Sequence, residues 1–493
     1  MQEQISRANS YIAQQAPQVN PRFRHGYHLM PPVGWMNDPN GFIYYEGYYH
    51  LFYQFYPYDS VWGPMHWGHA RSKDLIHWEE LPVALAPSEP YDQSGCFSGS
   101  ALVIENQLVL MYTGHVDIAG QVTQTQCLAV SNDGISFRKY EGNPVIAHAH
   151  IKGIADIADC RDPKILKHDG RYYSVVASKT VDNRGQILLF QSANGFDWEF
   201  KSVLLEGQAG QGIMWECPDL FPLDGKWVLI MSPIEREREG NAYWNLNSTV
   251  AYIGQMDWDS GRFQVENQHE IDGGLDFYAP QTCLNSENER IMVAWMQMWQ
   301  RNIPSHELGD GWAGAMTLPR KLGVIDNRLC QSIPSPVLAQ LRCDKSWQGQ
   351  LGPGQEHYLS DWVKPQQVLK LKLDALPGAV FQLQYGGKAN QPQGLTLTWQ
   401  ADQHRLSVSR EGVGHRIIGK EEPYQDSRQL DLWSSDSYKL ELEIVRDTSS
   451  IEVFVNQQQV MSFTFYAEGL GTGIGLVSSQ LVKVENLTNY SLI

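Results

Sequence analysis

Three short clusters each set an acid among residues that fix backbone shape: Asn37-Asp38-Pro39-Asn40-Gly41, Arg161-Asp162-Pro163 and Trp215-Glu216-Cys217-Pro218. Asp38 comes just before Phe42-Ile43-Tyr44-Tyr45, which reads as a strand, so turn formers backed by a strand make a rigid mount for one carboxylate. Acids gathered in one pocket raise each other's pKa, so a fold brings them together for a purpose. One purpose is to bind calcium or magnesium through oxygen ligands. The other is glycoside hydrolysis, in which one carboxylate attacks and a second, kept protonated, gives its proton to the leaving oxygen. Met, Trp and Cys surround these acids, unlike the Asp/Asn/Gly loops of calcium sites, which favours the second purpose and no metal. Glu216 sits between Trp215 and Cys217, a setting that raises a carboxyl pKa and suits an acid. Asp38 has Asn37 and Asn40 as donors that favour the ionised form, which suits a nucleophile.

Such acids act together only if a fold unit brings them to one place, and the chain carries a repeat that does so. Hairpins with an acidic or Gly turn recur at Tyr45–Tyr53, Ile104–Tyr112, His168–Tyr173, Leu223–Leu229 and Asn288–Trp295. A polar turn motif follows the early ones at Ser72–Trp78, Ser131–Phe137 and Ser192–Trp198, spaced by 59 residues (72 to 131) and 61 (131 to 192). Repeats of this length built from short strands mark a β-propeller with one four-stranded blade per repeat, and five fit between residues 23 and 332. The residues just before each innermost strand then meet at one mouth of the central channel. They are 37–40, 96–100, 160–164, 215–219 and 276–280, so Asp38, Asp162 and Glu216 fall at equivalent points.

The expected division is an N-terminal arm over 1–22, a five-bladed propeller over 23–332, a Ser/Pro-rich linker over 333–354 and a β-sandwich over 355–493. The sandwich is read from strands alternating with polar turns, such as Ile451–Asn456. The fold class is therefore all-β, a propeller followed by a sandwich.

A formal net charge of −17 with no run of Lys or Arg excludes nucleic acid and anionic membranes as expected partners. A small neutral sugar fits the acidic balance and the 16 Trp, 23 Tyr and 16 Phe. Seven scattered Cys without a C-x-x-C pair argue against a disulfide framework or zinc site. With no apolar run long enough to span a membrane and no apolar signal core, a cytoplasmic location is expected. The sandwich offers a contact surface for an oligomer.

At these residues the chain resembles glycoside hydrolase family 32, the β-fructofuranosidases, which include invertases, sucrose-6-phosphate hydrolases and fructan hydrolases. Trp35-Met36-Asn37-Asp38-Pro39-Asn40-Gly41 is similar to the family's sucrose box, and Arg161-Asp162-Pro163 and Glu216-Cys217-Pro218 to two further signatures. Phe97-Ser98-Gly99-Ser100 and Asp276-Phe277-Tyr278-Ala279 match as well, and the resemblance runs over nearly the whole chain. It implies a five-bladed propeller with a β-sandwich, and retaining hydrolysis of terminal β-D-fructofuranosides through a covalent fructosyl-enzyme. Asp38 would be the nucleophile and Glu216 the acid/base, while Asp162, with Arg161 beside it, would hold fructose hydroxyls and stabilise the transition state. Asn37, Gln54, Trp62, Phe97, Ser98, Asp276, Tyr278 and Trp295 match positions that line the fructose pocket. No metal or organic cofactor is implied. Sucrose, its 6-phosphate and short fructo-oligosaccharides all fit, and Arg236 or Arg238 is a candidate to meet a phosphate. The alternatives are a five-bladed glycosidase acting on pentose polymers and a sugar-binding propeller without catalysis. An intact acid triad argues against the second.

Overall fold

The computed structural model describes residues 1–387, 394–433 and 438–492; positions 388–393, 434–437 and 493 of the expected sandwich lie outside the described residues. Helix Gln2–Gln15 buries Ile5 and Ala8 and packs beside strand Trp78–Leu85. Five antiparallel sheets follow, and each starts from one innermost strand: Gly34–Tyr45, Gly95–Ile104, Cys160–His168, Gln211–Leu223 and Tyr278–Leu284. Each of these strands contacts the next, and the fifth returns to the first, so the ring of blades closes. Closure is helped by Trp312–Ala313, which pairs in parallel with Gly34 and Trp35 on the first blade.

All five innermost strands lose register with their hairpin partners at the same level. The breaks fall at Met36/Pro39, Phe97/Gly99, Arg161/Lys164, Glu216/Asp219 and Tyr278/Gln281. A bulge puts extra residues on one strand, bends it and re-aims a side chain. Asp162 (φ 60°), Cys217 (φ 48°) and Ala279 (φ 52°) take left-handed backbone at these bulges. The expected acids therefore lie within their strands rather than before them. The repeat that brings them together is a repeated bulge.

After the propeller come two six-stranded sheets packed face to face over a core that includes Leu371, Phe381, Trp399, Val453 and Phe463. The stretch read as linker contains strand Leu341–Leu351, which pairs with Val482–Leu492 at the edge of one sheet. Most of its side chains face solvent, so it lacks the apolar alternation by which a strand is recognised.

Propeller and sandwich meet across a layer of buried charge. Arg320 pairs with Asp272 of the propeller (2.9 Å) and Glu452 of the sandwich (2.6 Å), and Arg410 of the sandwich pairs with Asp276 (2.8 Å). His28, from the segment leading into the propeller, bonds Asp447 and Glu452, one through each ring nitrogen and both at 2.9 Å. Burial alone would discharge this imidazole, yet the two carboxylates push its pKa up to about 9. Asp447 is held well below the usual carboxylate range, because bonds from His28 and nearby backbone outweigh its burial.

Candidate active site

At the channel mouth the bulges direct two carboxylates onto one thiol, with a third beside it in the chain. Cys217 Sγ lies 3.5 Å from Asp38 Oδ2 and 3.6 Å from Asp162 Oδ2, and the Cys217 amide donates to Asp162 Oδ2 at 3.0 Å. Glu216 is the next residue in the same bulge. Burial keeps the Cys217 thiol protonated, so it serves as a weak neutral donor between two acids.

Asp38 is braced on both oxygens. Ser98 Oγ donates to Oδ2 at 2.6 Å, and Asn37 Nδ2 donates to Oδ1 at 2.9 Å. Trp35 Nε1 donates to Asn37 Oδ1 at 2.8 Å, which fixes which end of the Asn37 amide faces the acid. Asn40, expected to be a second donor, instead turns its Oδ1 to the Gly99 amide at 3.3 Å. Burial raises the Asp38 pKa against these bonds, and the charge of Glu216 adds to the rise.

Glu216 Oε1 accepts from Arg161 Nη2 (2.9 Å) and Nε (3.1 Å), and Oε2 accepts from the Tyr278 hydroxyl (2.5 Å). That hydroxyl also lies 3.2 Å from the Ser232 carbonyl. It can therefore donate to an ionised Glu216, or donate to Ser232 while accepting from a protonated one. Burial pushes Asp162 up to about 7 in spite of Arg161, with help from the charges of Glu216 and Asp38.

A cavity of about 380 Å³ opens over these groups. Of the expected pocket residues, Asn37, Gln54, Trp62, Phe97, Ser98 and Arg161 line it together with Asp38, Asp162 and Glu216. Tyr278 does not line it, and acts through Glu216. Trp295 is fully buried and packs at a tilt against Trp35 and Trp299; Trp299 takes the place at the pocket wall. Asp276 is taken up elsewhere. Its Oδ2 accepts from Arg410 (2.8 Å), the Thr464 amide (2.8 Å) and Thr464 Oγ1 (3.0 Å), and Arg301 lies 3.2 Å from Oδ1. It looked like a fifth channel-mouth residue because its three partners lie far away in sequence. His115, Val122, Gln124, Ala158, Asp159 and Trp299 line the cavity without having been anticipated. Asp159 and Ala158, two and three residues before Arg161-Asp162-Pro163, stood close to a motif.

A second recess of about 440 Å³ lies between propeller and sandwich, lined by Tyr243, Glu270, Arg328 and Trp433 among others, and does not include the three acids. His25, His28 and Asp447 approach closely enough to share a cation. Both nitrogens of His28 are already bonded to carboxylates, so the cluster is built as an ion-pair joint.

Comparison with known proteins adds two family matches. Residues 28–333 match the glycosyl hydrolases family 32 N-terminal domain, and 365–491 match the family 32 C-terminal domain. The chain is 37% identical over 449 residues to a sucrose-6-phosphate hydrolase of Zymomonas mobilis, covering 88% of this chain and 84% of that one. It is 36% identical over 496 residues to a sucrose-6-phosphate hydrolase of Escherichia coli, covering 98% of both. Among solved structures, a β-fructofuranosidase of Bombyx mori superposes with a TM-score of 0.82 at 37% identity, covering 99% of this chain and 97% of that one.

Proposed function

Given that the chain belongs to glycosyl hydrolase family 32, we propose that it is a retaining β-fructofuranosidase with Asp38 as nucleophile and Glu216 as acid/base. The observation that carries these roles is the meeting of Asp38, Asp162 and Glu216 around Cys217, each delivered by an equivalent bulge.

Asp38 attacks the anomeric carbon of a terminal fructosyl unit. The bond from that carbon to the leaving oxygen breaks, and Glu216 gives the oxygen its proton. Glu216, now ionised, takes a proton from water. The resulting hydroxide attacks the same carbon and releases the Asp38 carboxylate, which restores both acids to their starting states. Two displacements on one carbon give retention. Ser98 and Asn37 hold Asp38 in line, and Tyr278 follows the protonation of Glu216 by turning its hydroxyl. Asp162, fixed by the Cys217 amide, accepts fructose hydroxyls and faces the positive charge that develops on the ring.

Catalysis belongs to the propeller, residues 23–332, and the sandwich buttresses it. Substrates in reach are sucrose, its 6-phosphate and short fructo-oligosaccharides. No helix among the described residues is long and apolar enough to cross a membrane. Six of the seven free cysteines are buried, which fits a reducing, cytoplasmic setting.

Asp38→Ala and Glu216→Ala are each expected to lower kcat on sucrose by roughly 10³-fold or more, with melting temperatures at or above that of the parent. Turnover retained by either folded variant removes that residue from its role.

A further inference from the structure

The leaving sugar must lie beside Glu216, which protonates its oxygen. A chain of hydrogen bonds leads from that acid to the pocket wall. Arg161 donates from Nε and Nη2 to Glu216 and from Nη1 to Gln124 Oε1 (3.3 Å). The Cys160 amide also donates to Gln124 Oε1 (3.2 Å). Two donors on one oxygen fix the Gln124 amide, so its Nε2 points at His115 Nδ1, 3.4 Å away. His115 Nδ1 therefore accepts, and the ring proton sits on Nε2. Among the described residues Nε2 has no protein partner, and it is not sealed from the cavity that His115 lines. The ring is held flat on Phe97 (3.9 Å, 9°), whose edge meets the half-exposed Trp62 (5.9 Å, 75°). Burial, with the Arg161 charge in support, pulls the His115 pKa down to about 4 against the pull of Asp117, so the ring is uncharged at neutral pH.

Charge in the cavity points the same way. Asp38, Asp159, Asp162 and Glu216 line it, and the one cation among the lining residues is Arg161. Arg161 is already spent on Glu216 and Asp159. The two arginines that the sequence offered for a phosphate are also committed. Arg236 lies over Tyr243 (4.1 Å), and Arg238 lies over Trp244 (4.5 Å) and donates to the Glu422 carbonyl.

We propose that the leaving-group side of this pocket is a subsite for an uncharged sugar, with His115 Nε2–H, its ring held by Phe97, donating to a hydroxyl, and phosphomonoesters rejected. The names of the bacterial relatives then do not carry over to this chain's preferred substrate. The inference rests on the β-fructofuranosidase assignment above.

The test compares kcat/KM of the unmodified enzyme on sucrose, on sucrose carrying a 6-phosphate on its glucosyl unit, and on methyl β-D-fructofuranoside. Like-charge contact predicts roughly 100-fold or greater preference for sucrose over its 6-phosphate. Equal or better turnover of the 6-phosphate overturns the subsite while leaving the fructosidase assignment intact. Release of fructose from none of the three overturns the assignment itself. His115→Phe keeps the stacked ring and removes the donor. It should lower kcat/KM on sucrose about tenfold, mainly through KM, and lower it less on the methyl fructoside. An equal loss on both substrates, or none on either, takes His115 out of the subsite.

Discussion

Two places in this molecule bury several acids together, and they treat them in opposite ways. Between propeller and sandwich four buried acids are matched with cations: Asp447 and Glu452 share His28, Glu452 and Asp272 share Arg320, and Asp276 has Arg410. At the channel mouth four acids line the cavity with one cation among them: Arg161 pairs with Glu216 and Asp159, and among the described residues Asp38 and Asp162 have no ion pair. The first arrangement drives Asp447 far down and His28 up to about 9, while the second drives Asp162 up to about 7. Pairing makes a joint, and under-pairing makes a site whose protons can move. The difference teaches which buried acids to read as chemistry: several that meet in one cavity with too few cations between them.

The largest expected effect at the joint comes from His28→Ala, which leaves Asp447 and Glu452 buried without their shared cation. Unfolding free energy should fall by about 3–5 kcal/mol, measured by denaturant titration at pH 7, with kcat per folded molecule nearly unchanged. A loss near zero would mean that the joint is not held by charge.

Next in size is the pH response of the unmodified protein. His28 is raised in the folded state, so its contribution is fully present below about pH 6.5 and disappears as pH rises through about 9. That contribution is about 3 kcal/mol, seen as a falling melting temperature over this window and absent from His28→Ala.

The smallest effect is a substitution that stabilises. Asp162 is a carboxyl raised to about 7, so the stability it contributes is present below its unfolded pKa near 4 and is lost as pH climbs to 7. Above that, the folded chain carries the cost of a buried charge. Asp162→Asn should therefore be more stable than the parent by about 1–2 kcal/mol at pH 8, with the gap closing toward pH 4 and turnover lost. Destabilisation at pH 8 would show that Asp162 belongs with the paired acids instead.

Much of the channel mouth was legible because acid, turn former and strand are contiguous at Asp38, Asp162 and Glu216, and because the blade repeat aligns them. The ring of five blades and the sandwich followed from the same periodicity. What escaped had its cause elsewhere in the chain. Asp276 sits at the right point of the repeat, yet Arg410 and Thr464 arrive from the sandwich and consume it. His115 and Gln124 lie on the second and third strands of blade two, where an alternating polar residue looks like any solvent-facing one. Leu341–Leu351 is an exposed edge, so burial left no apolar pattern in its sequence. Trp295 and Trp299 are chemically alike four residues apart, and only packing decides which one meets the pocket.

The central claim is that under-paired Asp38 is a nucleophile served by Glu216. Its most direct test is to trap the covalent intermediate in Glu216→Ala with a β-D-fructofuranosyl fluoride, whose leaving group needs no proton. The first displacement then proceeds, and the second lacks its base. Mass spectrometry of the digested protein should find one fructosyl unit on the peptide carrying Asp38, formed along with a burst of fluoride. A fluoride burst with the Asp38 peptide unmodified, or an adduct on any other residue, would contradict the account.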